Sequence, residues 1–179
     1  MIYFFLAPGF EEIEALCPID LLRRAGLEVK TVGVGAREIC GAHGISVKAD
    51  ITDAEFCDSA PELIFLPGGM PGTLNLNESP VVHRAIDDAL ECGAYIAAIC
   101  AAPMILGKRG LLRDKEAICY PGFEDDLLGA VISKNSIARD GKILTAKGMG
   151  VALEFGLMIV EIFKGAEYAA SLRKAVIAD

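Results

Sequence analysis

Short apolar runs alternate along this chain with longer segments in which apolar positions recur at helical spacing. Met1 to Ala7 reads as a buried strand, and Pro8-Gly9 turns it into a helix from about Glu11 to Ala25 that Gly26 ends. Leu27 to Val34 is a second strand, Ile45 to Ile51 a further strand or half of a hairpin, and Leu63 to Leu66 a buried strand that stops at Pro67-Gly68-Gly69. A helix from about Pro80 to Glu91 precedes the apolar strand Tyr95 to Ile99, which runs through Cys100 into another helix. Then come a short strand at Ala117 to Cys119, a hairpin through Val131 to Thr145 around Asp140-Gly141, and a long helix from about Val151 to Phe163. This alternation predicts an α/β fold, a mostly parallel sheet with helices on both faces.

Ligands on such sheets collect at the carboxyl ends of the strands, where Ala7-Pro8-Gly9, Pro67-Gly68-Gly69 and Cys100 should converge. A strand running straight into a helix forces a sharp turn, the geometry that holds a nucleophile clear of the sheet. Ala98, Ala101 and Ala102 are small enough to permit that bend around Cys100, and Pro103 fits a first helical turn. The helix end should hold the thiol below its free pKa of about 8.5. Of the other cysteines, Cys17 and Cys92 fall in helical patterns, Cys119 ends a short strand, and Cys40 and Cys57 lie in loop or turn contexts. Gly68-Gly69 can present backbone N–H groups, with that of Ala101, as an oxyanion hole worth about 3 kcal/mol per donor.

Glu11, Glu12 and Glu14 share the first turn of the first helix, where acids complement the dipole. Ile13, Leu16 and Cys17 mark the expected buried stripe, and Glu14 borders it more closely than Glu11. Pro18, four residues on, lacks the N–H that would bond the Glu14 carbonyl, leaving that backbone open. Glu14 is therefore the acid expected to turn inward, protonated beside a thiolate.

Composition narrows the classes of partner. With 179 residues the chain suits one domain spanning 1–179, and no linker, repeat or low-complexity run divides it. A net charge of −8 disfavours nucleic acid and anionic membranes, and no long unbroken apolar run predicts a membrane span. The chain starts in a strand without a basic flank or cleavage signal, so a cytoplasmic location is expected. Six cysteines without a C-x-x-C pair make a disulfide framework or a zinc site improbable, and neither metal nor cofactor is expected.

Ala7-Pro8-Gly9-Phe10-Glu11-Glu12-Ile13-Glu14, Leu22-Arg23-Arg24-Ala25-Gly26, Leu66-Pro67-Gly68-Gly69, Ala97-Ala98-Ile99-Cys100-Ala101 and Leu144-Thr145-Ala146-Lys147-Gly148 resemble, in order, the blocks of the ThiJ/PfpI superfamily, most of all its Parkinson's-linked DJ-one clade. The resemblance covers almost the whole length. It implies a flavodoxin-like three-layer sandwich with a nucleophile elbow, a homodimer, an oxidisable nucleophile at Cys100 contacted by Glu14, and amides of Gly69 and Ala101 lining the pocket. It also brings His43 to the pocket rim and Arg24 in from the partner.

One position departs from the family. Where many members carry a histidine after the strand that follows the elbow helix, this chain has Tyr120. Its two histidines, His43 and His83, both precede Cys100, and the residue after Cys100 is Ala101. That disfavours class I glutamine amidotransferase chemistry, which needs a downstream histidine, and peptidase chemistry, which resembles a Cys-His elbow. Two uses of the sulfur stay open. In the first, Cys100 adds to α-oxoaldehydes such as methylglyoxal, or to their early protein adducts, and Glu14 relays protons, a glyoxalase III or deglycase activity. In the second, peroxide oxidises Cys100 to a sulfinate held by Glu14, and the protein works as a redox sensor or chaperone-like protein. Small aldehydes or oxidants are the partners expected in either case.

Overall fold

The computed structural model describes residues 1–58 and 60–178. In chain order it comprises β1 (Ile2–Leu6), α1 (Glu12–Arg24), β2 (Val29–Gly33), β3 (Glu38–Cys40), β4 (Ser46–Lys48), β5 (Ile51–Thr52), β6 (Leu63–Leu66), α2 (Gly72–Glu78), α3 (Pro80–Cys92), β7 (Tyr95–Ile99), α4 (Pro103–Lys108), β8 (Glu116–Ala117), β9 (Val131–Ile132), β10 (Ile137–Asp140), β11 (Ile143–Ala146), α5 (Ala152–Lys164) and α6 (Ala166–Ala175). Seven strands form the central sheet in the order β10-β11-β7-β6-β1-β2-β5. Every pairing in it is parallel except β10 with β11.

Alternation along β1 divides the core. Tyr3, Phe5 and Ala7 face a layer built on α2, α3 and α4 through Leu76, Val82, Ile86, Met104 and Ile105. Ile2, Phe4 and Leu6 face the opposite layer, which holds Ile19 and Leu22 of α1, Phe155 and Ile159 of α5, and Leu172 of α6. Both faces of the parallel strands are thus dry, which is why β1, β6 and β7 read as unbroken apolar runs. The result is the three-layer sandwich expected from sequence. No helix among the described residues is long and apolar enough to cross a membrane.

Several elements differ from the sequence reading. The Ile45 to Ile51 stretch divides: β4 pairs with β3 in a separate hairpin, while β5 extends the main sheet. The Val131 to Thr145 hairpin divides too, because β9 pairs in parallel with β8 and only β10 and β11 form the turn around Asp140-Gly141. β8 stops at Ala117, so Cys119 lies beyond a strand rather than at its end, and Cys40 closes β3 rather than lying in a loop. The buried face of α1 is Glu12, Glu14, Ala15, Pro18, Ile19, Leu21 and Leu22, whereas Ile13 stands 48% exposed. Pro18 sits against Gly156 of α5, where an added Cβ would lie 3.1 Å from its Cα, so it serves the packing of these helices.

Candidate active site

Three strand ends meet where β1, β6 and β7 stop beside one another. The sheet order reverses direction between β1 and β6, since the chain builds outward from β1 through β2 and then returns to the other side of β1, and crevices form at such points. Cys100 follows β7 directly with φ of 64°. A non-glycine residue in that left-handed region costs on the order of 1 kcal/mol or more and marks an imposed turn. The turn is fixed from both sides: the Cys100 N–H donates to the Ala146 carbonyl at 2.9 Å, and the Tyr120 N–H donates to the Cys100 carbonyl at 2.8 Å. The elbow expected from sequence is present.

Glu14 meets it from α1. Its side chain is 1% exposed, and its Oε2 accepts from the Gly68 N–H at 3.0 Å. The Met149 N–H also faces this carboxyl, and the Cys100 thiol lies within its hydrogen-bonding reach. Gly68 is the spacer that lets the two groups meet: a Cβ there would lie 2.5 Å from both the Cys100 Cβ and Glu14 Oε2. The amides of Gly69 and Ala101 face the sulfur. Gly69 itself has φ of 90°, and a Cβ on it would press within 2.4 Å of the Glu11 N–H nitrogen. The sequence reading missed the Met149 amide, and nothing in the Gly148-Met149-Gly150 stretch signals it before the fold brings that turn to Glu14.

Protonation requires a correction. Burial, then the charge of Glu14 and a hydrogen bond to it, push the Cys100 thiol up to about 12, against the pull of the Gly69 and Ala101 amides. The acidified thiol expected from sequence does not result, because burial and Glu14 outweigh the amides that face the sulfur. Burial likewise raises Glu14, to about 7, opposed by the Cys100 hydrogen bond and helped by the charge of Glu11. The two form one coupled pair, so the proton lost near neutrality belongs to both. With the remaining proton on Glu14, the sulfur is a thiolate facing three donors. With it on sulfur, the carboxylate keeps the Gly68 and Met149 amides.

Gly69, Met70, Cys100, Ala101, Tyr120 and Phe123 line a cavity of about 160 Å³ over the sulfur. Tyr120 is half exposed on its wall. His43 lies elsewhere, at the tip of the β3–β4 hairpin: its N–H and Nδ1 meet the buried Glu12 carboxylate at 2.7 and 2.8 Å. Glu11, Glu12 and His43 bring ligand atoms within 4.8 Å of one another, a set that could hold a metal ion, but Glu12 and His43 already satisfy each other as the hairpin's tether. Arg24 is not in the pocket of its own chain. It pairs with Asp20 at 2.6 Å and lines a separate cavity with Cys17 and Leu153. Of the other cysteines, Cys40, Cys57 and Cys92 are exposed, Cys17 is half-buried, and Cys119 is buried with its thiol pushed up to about 12 by burial and by Glu124 and Asp126.

A doubly wound sheet with a strained cysteine elbow and a buried carboxyl beside the sulfur defines a class of α/β proteins. Within that class the chain belongs to the DJ-1/PfpI family, whose pattern it matches over residues 1–162. It is 35% identical over 177 residues to the Parkinson disease protein 7 homolog of Danio rerio, a match covering 96% of this chain and 94% of that one. It is 31% identical over 166 residues to the glutathione-independent glyoxalase DJR-1.2 of Caenorhabditis elegans, covering 92% and 88%. Oxidised DJ-1 of Toxoplasma gondii superposes with a TM-score of 0.94 at 31% identity, covering 98% and 97%.

Proposed function

We propose that the protein converts small α-oxoaldehydes to 2-hydroxyacids without glutathione, with Cys100 as nucleophile and Glu14 as proton relay. The observation that carries this reading is the protonatable Glu14 carboxyl placed against the Cys100 sulfur at a strained elbow. The relative named as a glutathione-independent glyoxalase supports it. Thiolate attack on the aldehyde carbon forms a C–S bond, the Gly69 and Ala101 amides steady the developing oxyanion, and Glu14 gives that oxygen its proton. The Glu14 carboxylate then takes the C–H proton from the same carbon, the electron pair of that bond forming an enediol as the hydroxyl proton passes to the neighbouring oxygen, and Glu14 returns its proton to the neighbouring carbon. One carbon is oxidised to a thioester and the other reduced to an alcohol, so no external oxidant enters. Water cleaves the thioester to the hydroxyacid and restores the thiol. Tyr120 donates a hydrogen bond to substrate, a role a phenol can fill at neutral pH, where it is a poor base.

Incubation with methylglyoxal in buffer free of glutathione and other thiols should yield lactate with wild type and none with Cys100→Ser. Lactate formed equally by both, or by neither, would overturn the reading. We place the functional unit as a homodimer, for which the half-exposed Ile13 on α1 offers apolar surface, and only a second copy could bring Arg24 to the pocket. Sedimentation at micromolar concentration checks it, and a monomer would remove Arg24 from the site.

A further inference from the structure

A second cavity, of about 380 Å³, neighbours the one over Cys100; it is lined by Tyr120, Pro121, Ser136, Lys147 and the Gly148–Val151 turn. The two spaces share the Tyr120 wall, and the larger one also borders the Glu14 end of the site. Gly148 lies against the Tyr120 ring, where an added Cβ would be 3.4 Å from Cδ2 and 3.7 Å from Glu14 Oε1. Met149, whose amide faces Glu14, lines the same cavity. A chain on a substrate carbon bonded to Cys100 would run along the half-exposed Tyr120 ring to reach the second space.

The lining of that space is selective. Most of it is apolar side chain or glycine backbone, Ser136 adds a hydroxyl, and Lys147 is the one charged residue on it, with no acid among the described lining residues. None of the ion pairs among the described residues uses Lys147. In a chain of net charge −8, a wall with one cation and no anion is where a negatively charged tail meets attraction rather than repulsion.

The geometry points to Lys147 as a specificity residue, holding the carboxylate or other anionic tail of an α-oxoaldehyde whose carbonyl carbon sits at Cys100. This inference rests on the oxoaldehyde reading above and adds the class of substrate. A three-carbon aldehyde fills only the space over the sulfur, whereas an aryl or longer chain ending in an anion spans both.

Phenylglyoxal and 4-carboxyphenylglyoxal differ by one para carboxylate, so the change in the ratio of their kcat/KM values between wild type and a Lys147 variant reads the subsite. Wild type should favour the carboxylate, and Lys147→Gln should lower that ratio about fivefold through KM, with Lys147→Arg restoring it. A ratio that does not change in Lys147→Gln would overturn the inference. The chemistry-free counterpart is titration with the unreactive 4-acetylbenzoate and acetophenone, followed by NMR. Weaker binding of 4-acetylbenzoate alone in Lys147→Gln supports the subsite even if wild type turns over no methylglyoxal, an outcome that would sink only the proposed reaction. Equal binding of 4-acetylbenzoate to both proteins overturns the subsite whatever the enzyme does.

Discussion

Glu12 and Glu14 stand two residues apart on one helical turn and are equally hidden, 2% and 1% exposed, yet their protons behave in opposite ways. Burial acts upward on both. At Glu12 the His43 ring and the backbone N–H groups of His43 and Ile45 outweigh it, and the carboxyl is held below its ordinary value. At Glu14 the partners are a thiol and two amides, with the Glu11 charge nearby, and burial prevails, raising it to about 7. Burial alone therefore does not decide a carboxyl's charge. Imidazole and amide donors that outweigh burial keep one acid charged as a tether for the hairpin, and too few of them leave the other able to hold a proton beside the sulfur.

The severest way to break this contrast is Gly68→Ala. The new methyl would lie 2.5 Å from the Cys100 Cβ and from Glu14 Oε2, so the pair must separate. Turnover of methylglyoxal should fall by about 100-fold or more, since displacement of reacting groups by about 1 Å has that scale of effect. Denaturant midpoints should show about 1–3 kcal/mol of lost stability from overpacking.

Glu14→Gln separates stability from activity. In the folded chain Glu14 keeps its proton to about 7, while the unfolded chain releases it near 4.5. The folded state binds more protons across that interval, so stability falls as pH rises through it and the full penalty is present above 7. Glutamine carries no such charge, so the variant should gain about 1–3 kcal/mol at pH 8 and nothing at pH 4, while methylglyoxal turnover is lost. Urea titrations at the two pH values check the first half and lactate assays the second.

Iodoacetamide labelling, read by peptide mass spectrometry, sharpens the question of where the shared proton lies. In wild type the Cys100 rate should rise about tenfold per pH unit and level near 7 as the pair loses its proton, and in Glu14→Leu the plateau should move upward. A wild-type plateau above pH 9 would mean that the proton stays on sulfur. Cys40, Cys57 and Cys92 are the exposed references within the same digest.

The smallest effect belongs to the tether. Glu12 is held below its ordinary 4.5, so its contribution is present above 4.5 and lost as pH falls through the lowered value. His43 is raised above its ordinary 6.5 by the Glu12 hydrogen bond, so its contribution is present below 6.5 and lost as pH rises through the raised value. The stabilisation is therefore fullest between pH 4.5 and 6.5. Glu12→Gln should cost about 1 kcal/mol there, measured by thermal unfolding, and leave lactate formation within reach of wild type. A loss of turnover as large as that of Glu14→Gln would show that the two acids act as one.

The sheet and the elbow were legible because their signals are local. An apolar run ending in Cys100, small residues and Pro103 specifies its own turn, and Pro67-Gly68-Gly69 marks a strand end. What was not legible depends on distant partners or very short elements. β3 and β5 have three and two residues, too few for alternation to show. α2 is poor in helix formers, with glycine, threonine and two asparagines in seven residues, and α6 buries only Ala169 and Leu172, too thin a stripe to read. Glu14 was identified as the inward acid, but on a stripe that the structure redraws, since Ile13 faces outward. Glu12 was passed over as a dipole-complementing acid because its partner, His43, lies 31 residues away.

The left-handed backbone at Cys100 has an evolutionary consequence. A residue with a Cβ is held where glycine would rest without strain, so replacing it by glycine should yield a better-folded protein with no nucleophile. Drift at this codon runs downhill in folding free energy and toward silence in chemistry. On the function proposed above, a cysteine here is held by selection on the reaction rather than on the fold.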